Sequence, residues 1–140
     1  MTIKLTGATT VIAPGTEIPY NYVAGENIDE KEVVAISETT GRILKAQAST
    51  WLRMPAFGVS RESKQTGKTI EVLQFGVVPD ISRDADFNYD DKIFVSTNQG
   101  KATSTPPEGV GIIVQSLGRA INASDIVLEI DRRALELFDD

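Results

Sequence analysis

Two stretches of this chain follow one pattern, which leaves few ways for it to fold. Glu32-Val-Val-Ala-Ile-Ser37, followed by Gly41-Arg42, aligns with Asp91-Lys-Ile-Phe-Val-Ser96, followed by Gly100-Lys101. Each half then runs through a turn into a strand that reaches a large apolar residue plus glycine, Phe57-Gly58 in the first and Leu117-Gly118 in the second. Each closes with a polar turn and a last strand, Gly67–Leu73 and Ser124–Ile130. Coincidental likeness between strands of a β-rich chain is the competing explanation. A true repeat, spanning about 28–78 and 88–130, has a physical consequence. Units of roughly 50 residues bury too little surface to stand alone, so the two pack their apolar faces into one core.

The local signals are those of strands. Val, Ile, Thr and Phe cluster in Glu32–Ser37, Ile43–Gln47, Pro55–Ser60, Thr69–Phe75, Lys92–Ser96, Val110–Val114 and Ile126–Ile130, separated by Gly, Asn, Asp and Pro. Thr40-Gly41 and Gln99-Gly100 read as turns in which glycine supplies positive φ. The run Ser104–Gly109, with Pro106 and Pro107, is neither helix interior nor central strand. The expected fold is therefore mainly β, a compact β-barrel or sandwich built from two related strand-turn-strand halves. Residues 28–140 form its single β domain. Residues 1–27 have no stable period and read either as an extended N-terminal arm or as a peripheral strand. A short C-terminal helix is expected over Asp131–Phe138, with Asp131 as N-cap and Leu135 and Phe138 on one side.

Composition narrows the chemistry. The chain has 140 residues, 41% hydrophobic and 24% charged, with no cysteine and no histidine. The first absence removes disulfides, thiolate metal sites and cysteine nucleophiles; the second removes the usual general base and zinc ligand. No signal peptide is expected from the first twenty residues, and the aliphatic run around Ile112–Val114 falls far short of the ~20 residues that span a bilayer. A net charge of −6 disfavours nucleic acid as a partner. That charge is uneven. Residues 1–70 carry eight basic and seven acidic side chains, residues 71–140 six and thirteen. Between Arg42 and Lys68 six basic residues face the single Glu62, which reads as a solvated surface or as a contact face for an acidic partner.

No Ser-x-x-Lys, Gly-x-Ser-x-Gly, dinucleotide or P-loop pattern is present, so no catalytic or cofactor-binding residues are assigned and the chain is read as a non-enzyme. Asp84, Asp86, Asn88 and Asp90 alternate like the first half of a calcium loop, but Tyr89 stands where such a loop needs Gly and Val95 where it needs Glu. The repeat makes the same segment a solvated turn leading into Lys92, and no metal site is assigned. Trp51, the only tryptophan, reads as core or subunit packing or as an exposed anchor beside Arg53. Phe57, Phe75, Phe94 and Leu117 read as core.

The run Asp91–Pro107, then Val114-Gln-Ser-Leu-Gly-Arg-Ala120, resembles a pattern of tailed-phage virion proteins. With Glu32–Ser37, Gly41-Arg-Ile-Leu-Lys-Ala46 and Ala56-Phe-Gly-Val59, it is similar to the small capsid decoration (cement, or head-stabilising) proteins over about residues 28–130. The resemblance implies a protein made in the host bacterial cytoplasm and carried on the capsid surface of the virion. Its partners would be the major capsid protein and itself, as a homotrimer or alternatively a dimer, with a terminal arm reaching a neighbour. The chosen capsid-contact residues are Arg42, Lys45, Trp51, Arg53 and Arg61. A receptor- or glycan-binding module of a head or tail fibre is the alternative, with Trp51, Tyr20, Tyr22 and Tyr89 stacking on sugar rings.

Overall fold

The computed structural model describes residues 21–131 and 133–136. They are mainly β, in antiparallel sheets that do not close into a barrel. The first unit contains β1 (Tyr22–Val23), β2 (Val33–Ile36), β3 (Ile43–Lys45), a 3-10 turn (Trp51–Arg53), β4 (Ala56–Ser60), β5 (Thr69–Ile70) and β6 (Val72–Leu73). Next come β7 (Phe75–Val78), β8 (Lys92–Val95), β9 (Ala102–Thr103), β10 (Ile113–Val114), β11 (Ser116–Ala120), β12 (Ile126–Glu129) and β13 (Leu135–Glu136).

The pairing repeats between the units. One sheet has the order β3-β2-β4-β6 and the other β9-β8-β11-β12, with β7 added beyond β12. Both carry the same irregularity. Val34 pairs with Gly58 and Ala35 with Ala56, skipping Phe57; Ile93 pairs with Gly118 and Phe94 with Ser116, skipping Leu117. The glycine beside each bulge is enforced by the next strand. A Cβ on Gly58 would lie 2.3 Å from Val72 Cγ1 and 2.6 Å from the Leu73 carbonyl, and one on Gly118 only 1.9 Å from the Val127 carbonyl.

The correspondence extends upstream of the strands. Gly25 N–H donates to Ile43 O at 2.8 Å, and Asp84 N–H, 59 positions further on, donates to Ala102 O at 3.0 Å. Ile28 N–H donates to Lys64 O and Phe87 N–H to Ala123 O, at 2.9 and 3.0 Å. Lys31 and Asp90 share a left-handed backbone, φ 72° and 66°. The acidic segment is thus the second unit's copy of residues 21–32, a strap that crosses its sheet and buries Phe87 as the first strap buries Ile28. Within residues 21–27, β1 pairs with β5 and Ala24 is buried. Residues 1–20, the rest of the expected arm, lie outside the described residues.

Strand alternation then decides what meets what. Along β2, Val34 faces a small cluster of Ala24, Ile28, Ile43 and Ile70 under the first strap, while Val33 and Ala35 face the main core. Along β8 the inward residues are Ile93 and Val95. The main core therefore joins the outer face of the first unit (Val33, Ala35, Ala56, Val59) to the interior of the second (Phe87, Ile93, Leu117, Ile126, Leu128). Gln115, 1% exposed, joins the two halves by polar contacts. Its Oε1 accepts from Ala56 N–H at 2.7 Å, and its Nε2 donates to Ala56 O at 2.9 Å and to Asp131 O at 3.0 Å.

The expected C-terminal helix is not formed. Asp131 N–H is pinned to Ser116 O at 3.0 Å, its carbonyl is held by Gln115, and its carboxylate accepts from Arg133 N–H at 2.9 Å. The chain leaves that anchor extended, and Leu135–Glu136 pairs antiparallel with Ile113–Val114. Sheet pairing is available to the tail, whereas so short a helix has little stability of its own.

Gly118→Ala is expected to cost at least about 3 kcal/mol, because the clash is with backbone and φ is +143°. Gly41→Ala, at φ +71° in open space, is expected to cost about 1 kcal/mol. Thermal melts of the two variants compare these costs directly, with Gly118→Ala melting well below Gly41→Ala.

Candidate functional site

The five contact residues chosen from sequence do not form one free basic face. Lys45, at the end of β3, and Arg53, in the 3-10 turn, converge on Glu26 of the first strap. Arg53 grips both carboxylate oxygens, Nη1–Oε2 at 2.5 Å and Nη2–Oε1 at 3.2 Å, and Nη1 also donates to Lys45 O at 3.1 Å. Lys45 N–H donates to Glu26 Oε2 at 2.7 Å, while its ammonium lies 3.9 Å from Glu32 Oε1. The turn carrying Arg53 starts at Thr50, whose hydroxyl accepts from Leu52 N–H at 3.2 Å. Trp51, 45% exposed, donates from Nε1 to Glu136 Oε1 at 2.5 Å. The Arg42 and Arg61 side chains are exposed. They sit at opposite ends of β2: Arg42 O accepts from Ser37, and Arg61 follows Ser60, which bonds Glu32. Five residue steps of strand separate these ends, about 17 Å.

The latch sets two carboxyl groups apart. Burial alone raises the pKa of Glu26, but the Arg53 bonds, the Lys45 amide and both cationic charges outweigh it, and the net shift is downward from 4.5. Glu32, 9% exposed, is pushed up by burial; the Asp29 N–H at 2.7 Å and the Lys45 charge offset this only in part. Its Oε2 lies where a side chain on Gly100 would begin, 2.6 Å from that Cβ position.

The acidic strap spreads its carboxylates over separate partners. Asp84 accepts from Ser96 Oγ at 2.5 Å and Asn98 Nδ2 at 2.9 Å. Asp80 and Asp86 bracket Arg83, at 2.9 and 3.0 Å. Asp90 lies 3.7 Å from Arg119, and Asn88 N–H donates to Asp91 at 2.8 Å. Among the described residues no three acidic groups converge on one point that could hold a metal ion.

An exposed apolar surface lies instead on the outer face of the five-stranded sheet, which sequence reasoning missed. The directly paired residues Val77, Val127, Arg119 and Lys92 form one row across it, and Phe75 pairs with Glu129 alongside. Phe75 is 71% exposed and Val77 59%, so the expectation that Phe75 is core is corrected; Leu117 and Phe94 are buried, and Phe57 is half-buried against Tyr22, with ring centres 5.2 Å apart. The physical reason is that Thr69–Phe75 is not one strand. The chain breaks at Gln74 and passes to the other sheet, where β7 is an edge whose outward residues are left uncovered by the other described residues. The alternation of Phe75 and Val77 around Gly76 carried that signal. Beside this face a groove of about 420 Å³ is lined by Tyr89, Lys92, Ser116, Arg119, Val127 and Glu129. A second, of about 530 Å³, runs between Phe57, Gln74, Phe75 and Ile130. Tyr89 is 80% exposed at the rim of the first. These surfaces suit contact with another macromolecule, because large apolar side chains alternate there with fixed charges of both signs. No family model matches the chain, and no curated protein matches it.

Glu26→Ala leaves the Arg53 guanidinium partly buried without its carboxylate and is expected to destabilise the fold by about 1–3 kcal/mol. Because the folded pKa of Glu26 is depressed, its contribution is present above 4.5 and lost as pH falls through the lower folded value. Glu32 has the opposite sign. Its raised pKa makes stability fall as pH rises above 4.5, so Glu32→Gln, which keeps the acceptor for Asp29, should gain on wild type between pH 4.5 and neutrality. Urea titrations of the three proteins across pH 3–7 read both slopes.

Proposed function

We propose that this chain is a non-enzymatic virion structural protein that binds the outer surface of an icosahedral phage capsid and stabilises it. The observation that carries the reading is the apolar sheet face around Phe75 and Val77, on a module whose described buried side-chain polar atoms are all hydrogen-bonded. A module with a satisfied interior and a sticky exterior gains stability by being covered. The sequence resemblance to decoration proteins names the kind of assembly in which it is covered, by the shell or by a neighbouring copy. In this reading the partners are the major capsid protein and further copies of the chain, arranged as a homotrimer at three-fold or quasi-three-fold positions of the lattice. The two-unit β architecture is, in this reading, a sandwich that lies on the shell.

The mechanism is linkage. A subunit that binds the assembled lattice but not its dissociated parts stabilises the lattice by mass action, and many weak contacts add through avidity. Lys45 and Arg53 are held by Glu26 and Glu32 within the subunit, so the charged contribution to lattice contact falls to Arg42 and Arg61. Contacts of exposed cations weaken with salt over a screening length of ~8 Å.

A second reading, a glycan-binding module of a phage fibre, draws on Tyr89, exposed at the rim of a groove that offers Ser116, Lys92, Arg119 and Glu129 as hydrogen-bonding groups. Trp51 is less suited to that role, since its indole N–H is engaged by Glu136. Copy number separates the readings: hundreds per particle for a coat, a few dozen or fewer for a fibre.

Stripping the protein from purified particles should lower the temperature of heat-induced DNA release, and adding it back should restore it. Restoration should weaken as salt rises, and an Arg42→Glu, Arg61→Glu double variant should bind stripped capsids more weakly at low salt. Release at one temperature with and without the protein would remove the capsid-stabilising reading.

A further inference from the structure

Each unit has a receiving face and a docking edge, and only one of each is used within the chain. The receiving face of the first unit, with Val33, Ala35, Ala56 and Val59, is covered by the second unit. Two elements of the second unit do the covering. The turn at Gly100 bridges the paired ends of β2 and β3, donating to Ala46 O at 2.8 Å and accepting from Val33 N–H at 2.9 Å. The segment Gly111–Ile113 lies alongside, where Ile113 is buried and donates to Ala48 O at 2.8 Å.

The matched bulges at Phe57 and Leu117 locate the equivalents. In the first unit the turn is at Gly41, whose Cβ position meets nothing within 4 Å. The segment is Trp51–Arg53, where Leu52 is 77% exposed and Trp51 45%, while Arg53, at the place of Ile113, is held by Glu26 and the Trp51 indole N–H by Glu136. In the second unit the receiving face is the open one, with Phe94, Ser116, Arg119 and Val127 in place of Ala35, Ala56, Val59 and Leu73, and with Val77 extending it. Among the described residues, a used docking edge and a used receiving face thus leave one uncovered edge and one uncovered face, on opposite units. The free face is more mixed than the used one: Val77 and Val127 lie beside Ser116, Arg119 and Lys92, and Phe94 is buried with Lys92 over its ring.

We infer that the open sheet face of the second unit takes the Gly41 turn and the Trp51–Leu52 knob of a second copy, in a head-to-tail contact that repeats between chains the one inside each chain. Such a contact is heterologous: the two surfaces differ, so each copy can both give and receive, and the assembly closes into a ring or runs on. The homotrimer proposed above is one such ring, but the contact is deduced from the repeat and stands without the capsid reading.

The test is sedimentation of the full chain across a concentration series, with Val77→Asp disabling the face and Leu52→Asp disabling the knob. Both side chains are exposed, and circular dichroism and melting temperature confirm that each variant folds. Wild type should self-associate, and each variant should do so at least about tenfold more weakly, as expected when a central apolar contact is lost. An equimolar mixture should form a one-to-one dimer and nothing larger, because Val77→Asp still offers a knob and Leu52→Asp still offers a face. Wild type that stays monomeric at about 200 μM, weaker than ordinary specific association, overturns the inference. So does a mixture no more associated than its components, or self-association that only one substitution disturbs. Unchanged self-association by Val77→Asp with loss of binding to stripped capsids would overturn it too, assigning the face to the capsid protein and leaving the capsid reading intact.

Discussion

Burial of the first unit's outer sheet face by the second unit is the constraint on which the rest of this molecule depends. Val33, Ala35, Ala56 and Val59 are at most 3% exposed only because the second unit lies over them. The contact area is mainly apolar, and the fully buried carboxamide in it is fully used. Gln115 spends its carboxamide on both backbone groups of Ala56 and on Asp131 O, so it ties β4, β11 and the C-terminal segment with no unpaired atom. A buried amide that is satisfied in one arrangement only is a specificity device, since any slip between the units would leave donors and acceptors unmatched.

This dependence explains why two similar units have different surfaces. The same backbone grammar places Val33 and Ala35 on one unit and Lys92 and Phe94 on the other. The first pair is covered and small; the second borders solvent, where Lys92 lies 5.7 Å over the Phe94 ring and shields it. The straps differ in the same way. Residues 21–32 hold the Glu26–Arg53 latch, while the equivalent segment carries Arg83 between Asp80 and Asp86. Repetition fixed the path of the chain, and side chains were then free to diverge wherever the neighbouring environment differed.

Much of the fold was legible because it rests on local alternation and on glycine. The strands at Glu32–Ser37, Pro55–Ser60, Lys92–Ser96 and Ile126–Ile130, the turns at Gly41 and Gly100, and the matched Phe57-Gly58 and Leu117-Gly118 were all visible in the residues. What was illegible depends on tertiary partners. The tail Asp131–Glu136 has helical spacing but becomes a strand because Gln115 and Ser116 hold Asp131 extended. Thr69–Phe75 reads as one strand but switches sheets at Gln74. Among the contact candidates, charge counting could not see that Glu26, 27 residues before Arg53, takes up its guanidinium. The open face escaped notice because its residues come from β7, β8, β11 and β12, far apart in sequence, and none is unusual alone.

Native-state hydrogen exchange tests the claim of one shared core most directly. Ala46, in the first unit, donates to Val33 O at 2.9 Å, and Ala120, in the second, donates to Asp91 O at 2.9 Å; both are buried. If the units stabilise one another through a common core, both amides exchange only by global unfolding. They then report the same opening free energy and the same dependence on denaturant, and Gln115→Ala lowers both by the same amount. An Ala46 amide that opens by its own lower-energy route while Ala120 stays protected would show the first unit folding on its own terms, and would contradict the account.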